Sequence, residues 1–354
     1  MISLTKNQLT DLITSMILIR LYLSLPREML VSAGSASWIL VIYICIIALI
    51  LFFFVSLVYK RNESILDIAE SLGGKTFKII TGVLSSAAIL VKTSGHIKLF
   101  VESVQMVLLQ NTQTEIIVVV LGIALIVGAY SGIESLAIIS GLFLPVVITV
   151  LASFFVLLIP NIEINNLAPI LGTGPKAVFL DGIKNLSVFA DLFTLNFLLP
   201  YCKDENTLKK SGFYAIILNG TVFLMFMLVY CSVFPYPISS EYIIPIFQLT
   251  RIVEIGDFFG RFEAFFEFVW AISFLIYASI NIWILSIIWK KTFDLKYHEP
   301  IAVPMTVFAI GIGFLEPSML NIINGNRKFS WLMIASAFLV PFIYGFLSKI
   351  SHKE

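Results

Sequence analysis

Ten long apolar runs, at approximately 9–30, 38–59, 77–108, 115–130, 134–159, 178–200, 211–234, 256–289, 300–317 and 329–348, leave this chain few ways to fold. Crossing a hydrocarbon core about 30 Å thick takes about 20 helical residues, and each run is close to that length. Backbone in hydrocarbon must satisfy its own polar groups, so the runs are expected as α-helices. Composition agrees: 59% hydrophobic and 13% charged residues, with mean hydropathy +0.98, stand against roughly 25% charged content in soluble domains. The expectation is an all-α integral membrane protein of about ten transmembrane helices.

The connections at 61–76, 160–177, 235–255 and 290–299 are each too short to fold alone, so residues 1–354 form a single membrane domain. The first run has a weak basic start, carries Arg20 and precedes no small-residue cleavage site; it is expected to be retained rather than removed as a signal peptide. With ten spans, 13 Lys and Arg residues fall on the side of the termini and 6 on the other, which predicts both termini in the cytoplasm. A net charge of +1 offers no footing for nucleic acid. Cys45, Cys202 and Cys231 are scattered without metal or redox spacing, so no metal and no cofactor is expected. Nucleophile elbows, triad contexts and phosphate-binding loops are also missing, and the chain does not read as an enzyme.

Two runs are interrupted. ILIRLYLSLPREML carries Arg20, Ser24 and Pro26, and DGIKNLSVFADLFTLNFLLP carries Gly182, Lys184, Asn185, Ser187, Asp191 and Asn196 before Pro200. These are the first and sixth runs, the spacing of a five-plus-five inverted repeat, with a first repeat of about 9–159 and a second of about 178–348. Broken helices at membrane depth are tolerated where they line a cavity, which makes both candidates for a binding site. A lone Pro or Ser would be only a local kink; two at corresponding positions point to a site.

Charges sharpen the reading, because an Asp, Lys or Arg at a helix centre costs about 2.5–3.5 kcal/mol and needs protein or water beside it. Arg20 and Asp191 sit near the middle of the interrupted runs. Lys92, His96, Lys98 and Glu102 lie on the third run, where Lys98 and Glu102, four apart, can neutralise each other. Lys92 can snorkel into a wet cleft, and His96 reads as a hydrogen-bonded residue or as a proton relay. In GDFFGRFEAFFEFVW, Asp257 and Arg261 share one helix face and Glu263 and Glu267 another. Glu267 lies about 16 Å along the helix from Gly256, too deep for the headgroup zone alone.

That stretch, with Arg261, Glu263 and Trp270, resembles the signature of the spore germination permease family, the B subunits of nutrient-germinant receptors. SLTKNQL, LSLP, AGSASWI, PNIEINNLAPIL, LLPYCKDENTLKK and PIFQLTRIVEIGDF fall in family order along the chain. The resemblance implies membership of the amino acid, polyamine and organocation transporter superfamily, with a LeuT-like fold and interrupted helices 1 and 6. It also implies the spore inner membrane, an A subunit and a lipoprotein C subunit as partners beside membrane lipid, and a small nutrient ligand, typically an amino acid. Carried onto this chain, ligand-binding positions are Arg20, Leu21 and Tyr22 in span one, Ser94 and His96 in span three, Phe189, Ala190 and Asp191 in span six, and Ser273 and Tyr277 in span eight. Lys98, Glu102, Arg261, Glu263 and Glu267 are expected as structural or gating charges, with Arg261 and Glu263 fixing the eighth helix and Glu267 facing a water-filled path.

The chain departs from the pattern it resembles where members of that family carry small glycines before the LP of span one: here stand Ile19, Arg20 and Leu21. Ala190 and Asp191 stand where Gly and Glu are usual. Either Arg20 grips an anionic ligand group while Asp191 takes an ammonium, or Arg20 pairs with Asp191 and closes the pocket. Three functions follow: a sensor that signals to partner subunits or gates ions, a secondary amino acid transporter coupled to a proton or sodium ion, or an accessory subunit with a degenerate pocket.

Overall fold

The computed structural model describes residues 3–59, 63–253 and 262–351, with side chains for all of these except 262–265, 324–327 and 351. Described residues form helices and no strand; Leu4 and Cys202 make one isolated bridge. The α-helices are α1 Lys6–Leu18, α2 Arg20–Leu23, α3 Leu25–Ala33, α4 Ser37–Ser56, α5 Ile65–Val107, α6 Thr114–Tyr130, α7 Gly132–Leu157, α8 Leu195–Leu198 and α9 Glu205–Val233. The short α10 Ile238–Glu241 and α11 Pro245–Thr250 follow, then α12 Phe262–Thr292, α13 Ala302–Phe314, α14 Met319–Ile334 and α15 Val340–Ser351. Among the described residues six stretches are long and apolar enough to cross a membrane: Leu25–Ser56, Ile65–Val107, Gly132–Leu157, Glu205–Val233, Phe266–Thr292 and Lys328–Ile350. Thr114–Tyr130 and Glu299–Phe314 are shorter apolar helices.

Local chemistry sets the boundaries. Thr5 caps α1 through a box with Gln8, and Asp204 accepts from the Thr207 amide at the start of α9. α5 is two helices in one, because Gly74 takes φ 69° and ψ −167°, a conformation that residues with a Cβ avoid. The last apolar run starts earlier than its hydropathy suggests and winds through a π turn at Ala335–Leu339 between α14 and α15.

Both interrupted runs are broken in the structure. The first stops at Ile19, makes the single turn α2, bends at Ser24 (φ −137°, ψ −19°) and restarts with Pro26 in the first turn of α3, where its missing donor does no harm. The sixth is wound as a π turn, Ala177–Asp181, then a 3-10 stretch, Gly182–Thr194, before α8. A 3-10 stretch of 13 residues is unusual, since such runs seldom exceed about four. Thr194 Oγ1 donates to the Asp191 carbonyl at 2.6 Å and Asn196 Nδ2 to the Phe193 carbonyl at 2.8 Å, each three residues earlier in the chain.

α12 is the axis of the bundle: 83% of its apolar window is buried, against 33–50% for the other five. It packs on α5, α6 and α7, while α1 packs on α7 and α9. Small residues bring helices together, as where Gly313 of α13 meets the Ser94 carbonyl of α5, leaving no room for a Cβ.

Candidate functional site

All four residues of α2 are buried, Arg20 to 1% exposure. A guanidinium there must find partners inside the protein. Its Nη1 lies 2.7 Å from His96 Nε2 on α5, and His96 Nδ1 lies 2.6 Å from the Tyr277 hydroxyl on α12. Arginine has only donors, so Nε2 is the acceptor, Nδ1 carries the hydrogen, and the ring donates to the Tyr277 oxygen. One turn before His96, Lys92 forms an ion pair with Asp191 of the 3-10 stretch. Its ammonium also stands 5.8 Å from the Tyr277 ring centroid. The broken first run, α5, the 3-10 stretch and α12 thus meet through five polar side chains, none more than 4% exposed.

Two expected arrangements are corrected by this geometry. Arg20 does not pair with Asp191, because Lys92 holds that carboxylate and Arg20 turns to His96. Nor does Lys92 snorkel to water: it is 4% exposed and spends its charge on Asp191. His96 is the hydrogen-bonded link between Arg20 and Tyr277.

The other named positions form the surroundings. Tyr22 packs its ring 5.4 Å from Phe266 and 6.3 Å from Trp270, and buried Glu267 acts on its hydroxyl electrostatically. Leu21, Phe189 and Ala190 are buried apolar wall, with Phe189 6.5 Å from Phe223 of α9. Ser94 and Ser273 turn their hydroxyls back to the carbonyls of Leu90 and Val269 four residues earlier, so neither is offered to the cluster. Lys98 and Glu102 do pair, at 2.7 Å on the rim of α5, with Lys98 also 4.3 Å from the Phe314 ring centroid. Asp257 and Arg261, and the side chain of Glu263, lie outside the described residues.

Beside Tyr22 and Ser273, a cavity of about 10 Å³ is walled by Ser15, Leu18, Phe143 and Val147, no larger than about one water. Larger hollows, of about 540 and 570 Å³, lie away from the cluster. The first is lined by Phe54, Trp331 and Phe342 and the second by Lys6, Asp11 and Tyr214. Both have exposed side chains in their walls. Among the described residues no group of three His, Cys, Asp or Glu is placed to hold a metal ion.

Other polar contacts join the elements away from the cluster. At the end bearing Leu4, the Leu4 amide donates to the Tyr201 carbonyl at 2.8 Å, Lys291 of α12 meets Asp67 at 2.9 Å, and Lys78 meets Asp294 at 2.8 Å. At the other end Arg27 donates to the carbonyls of Glu241 and Tyr242 at 2.9 and 2.8 Å, and Ser35 to that of Pro169 at 2.7 Å. Sequence reasoning missed Lys291 with Asp67, since contacts 224 residues apart leave no local pattern. Burial pushes the Asp67 carboxyl up, but hydrogen bonds from Ser64 and the Lys291 ammonium outweigh it and hold it below the ordinary 3.8. A lowered carboxylate stabilises the fold above its unfolded pKa and loses that contribution as pH falls through the folded value. Asp67→Asn should therefore lower the melting point at pH 7 and have no effect well below pH 3.8, as measured by thermal unfolding in detergent. The partly exposed pair limits the loss to about 1 kcal/mol or less.

A broken first helix, a tightly wound sixth segment and a charge cluster joining them mark an all-helical membrane protein. Residues 3–348 match the spore permease family, described as spore germination protein, and the chain belongs to that family. It is 25% identical over 340 residues to spore germination protein A2 of Bacillus subtilis (strain 168), covering 94% of this chain and 91% of the relative. It is also 23% identical over 278 residues to spore germination protein YndE of the same organism, covering 75% of each chain. Spore germination protein B2, again from that organism, is 18% identical over 270 residues, covering 75% of this chain and 73% of the relative. This is a membrane protein of spore germination.

Proposed function

We propose that the chain is the ligand-sensing membrane subunit of a nutrient-germinant receptor. In this reading it crosses the spore inner membrane ten times as a LeuT-like five-plus-five repeat, with both termini in the cytoplasm. It works beside an A subunit and a lipoprotein C subunit, and its ligand is a small nutrient of the amino acid class. The observation that carries this is the meeting of the two broken segments at one buried cluster, Arg20 from α2 and Asp191 from the 3-10 stretch, bridged by Lys92, His96 and Tyr277. Buried charges on irregular backbone cost stability, and a binding role accounts for their retention.

In this reading the six-residue stretch 19–24, which breaks the first helix and bends at Ser24, is the part that shifts against α5 and α12. A ligand that holds Arg20 and the 3-10 stretch together favours one arrangement of these helices, and that population shift is what partner subunits detect. The test is germination of spores lacking this gene against single amino acids, sugars and salts. Loss of response to one nutrient class is the expected result; a normal response to every nutrient, together with accumulation of labelled amino acid in vesicles holding the protein, would assign it to transport instead.

A further inference from the structure

The charge of the cluster limits what it can hold. Arg20 and Lys92 are cations, and Asp191 is the carboxylate that acts on Lys92 and Tyr277. His96 and Tyr277 are neutral in the bond pattern described above, so the five groups sum to one positive charge. Of the other buried carboxylates nearby, Glu267 acts on Tyr22, and Glu28 lies in α3 beyond the bend at Ser24.

The shape of Arg20 adds a second limit. His96 takes Nη1 and fixes the plane of the guanidinium, while Nε, on the opposite edge, finds no partner in a residue 1% exposed. The edge formed by Nε and Nη2 is one of the two that meet a carboxylate with paired parallel hydrogen bonds. Asp191 Oδ2 is also unpartnered, but an ammonium there would stand beside Lys92 and add a third cation.

Resting on the reading of this cluster as the ligand site, we propose that the site, once the stretch 19–24 moves to open more room than the one-water cavity beside Tyr22, takes a small monocarboxylate on the Nε edge of Arg20 and does not require an α-ammonium. A monoanion brings the cluster to zero charge, whereas a zwitterion leaves it positive. Lys92 stands where an ammonium would be read, and His96 is a positioning residue that aims the guanidinium.

The experiment is calorimetric titration of the full chain in lipid nanodiscs with matched triplets: alanine, propionate and alaninamide; valine, 3-methylbutanoate and valinamide; with glucose as a neutral probe. The expected result is that the deaminated acid binds within about tenfold of its amino acid, and the amide at least about tenfold more weakly than either. Arg20→Gln should abolish the acid-over-amide preference, and Lys92→Met should shift preference towards the amino acid; the wild-type panel decides even if neither variant folds. An amino acid that outcompetes its deaminated acid by more than about tenfold, an amide that binds like the acid, or binding of glucose alone overturns the monocarboxylate class and leaves a ligand site standing. Saturable binding of no probe to folded protein, or binding indifferent to Arg20→Gln, overturns the ligand-site reading as well.

Discussion

Spores carrying Arg20→Ala should need about 30-fold to 4,000-fold more nutrient for the same germination response, with the maximal response recoverable at high dose. Truncating one partner of a buried, hydrogen-bonded charge contact costs about 2–5 kcal/mol, and each 1.4 kcal/mol is tenfold in affinity. The same truncation takes the acceptor's partner from His96 Nε2 and leaves a hole where a side chain 1% exposed had stood. Reduced protein level is therefore a competing cause, and immunoblots of spore membranes separate the two. Arg20→Lys keeps the charge but loses the planar fork, so it should fall between the parent and Arg20→Ala. An unchanged dose-response in Arg20→Ala at normal protein level would remove Arg20 from ligand recognition.

The second large effect concerns the pair beside it. Lys92→Met and Asp191→Asn should each destabilise the protein by about 3–5 kcal/mol, because each leaves one uncompensated charge at 4% exposure or less. The double variant should regain most of that loss, giving a coupling energy of at least about 2 kcal/mol in a double-mutant cycle followed by thermal unfolding in detergent. Additive losses would mean that Lys92 and Asp191 do not depend on each other. Stability and ligand response separate here: the double variant should be folded yet altered in which ligand charges it accepts.

How far these residues could be read without coordinates differs by type. Broken segments were legible because Arg20, Ser24 and Pro26, and Asp191 with its polar neighbours, are hard to place in a continuous lipid-facing helix. Lys98 with Glu102 was legible because both lie on one helix four residues apart. The partners of Arg20 and Asp191 were not, since opposite charges in two broken segments suggest a pair, whereas the rotation of α5 places Lys92 and His96 between them. A sequence signal did exist: Lys92 and His96 are four apart and so share the face of α5 that meets the cluster. Ser94 and Ser273 show the opposite case, where residue type suggested binding but the hydroxyls bond their own helix. In apolar surroundings a serine has that carbonyl always within reach, so its presence alone does not reveal its direction.

The most direct measurement is a structure of the protein with its germination nutrient bound. The ligand's carboxylate should lie at hydrogen-bonding distance from Arg20 Nε, between α2 and the 3-10 stretch, with Lys92 still on Asp191. Nutrient seated elsewhere, with the contacts of Arg20, Lys92, His96, Asp191 and Tyr277 unchanged, would contradict a sensor built on this cluster.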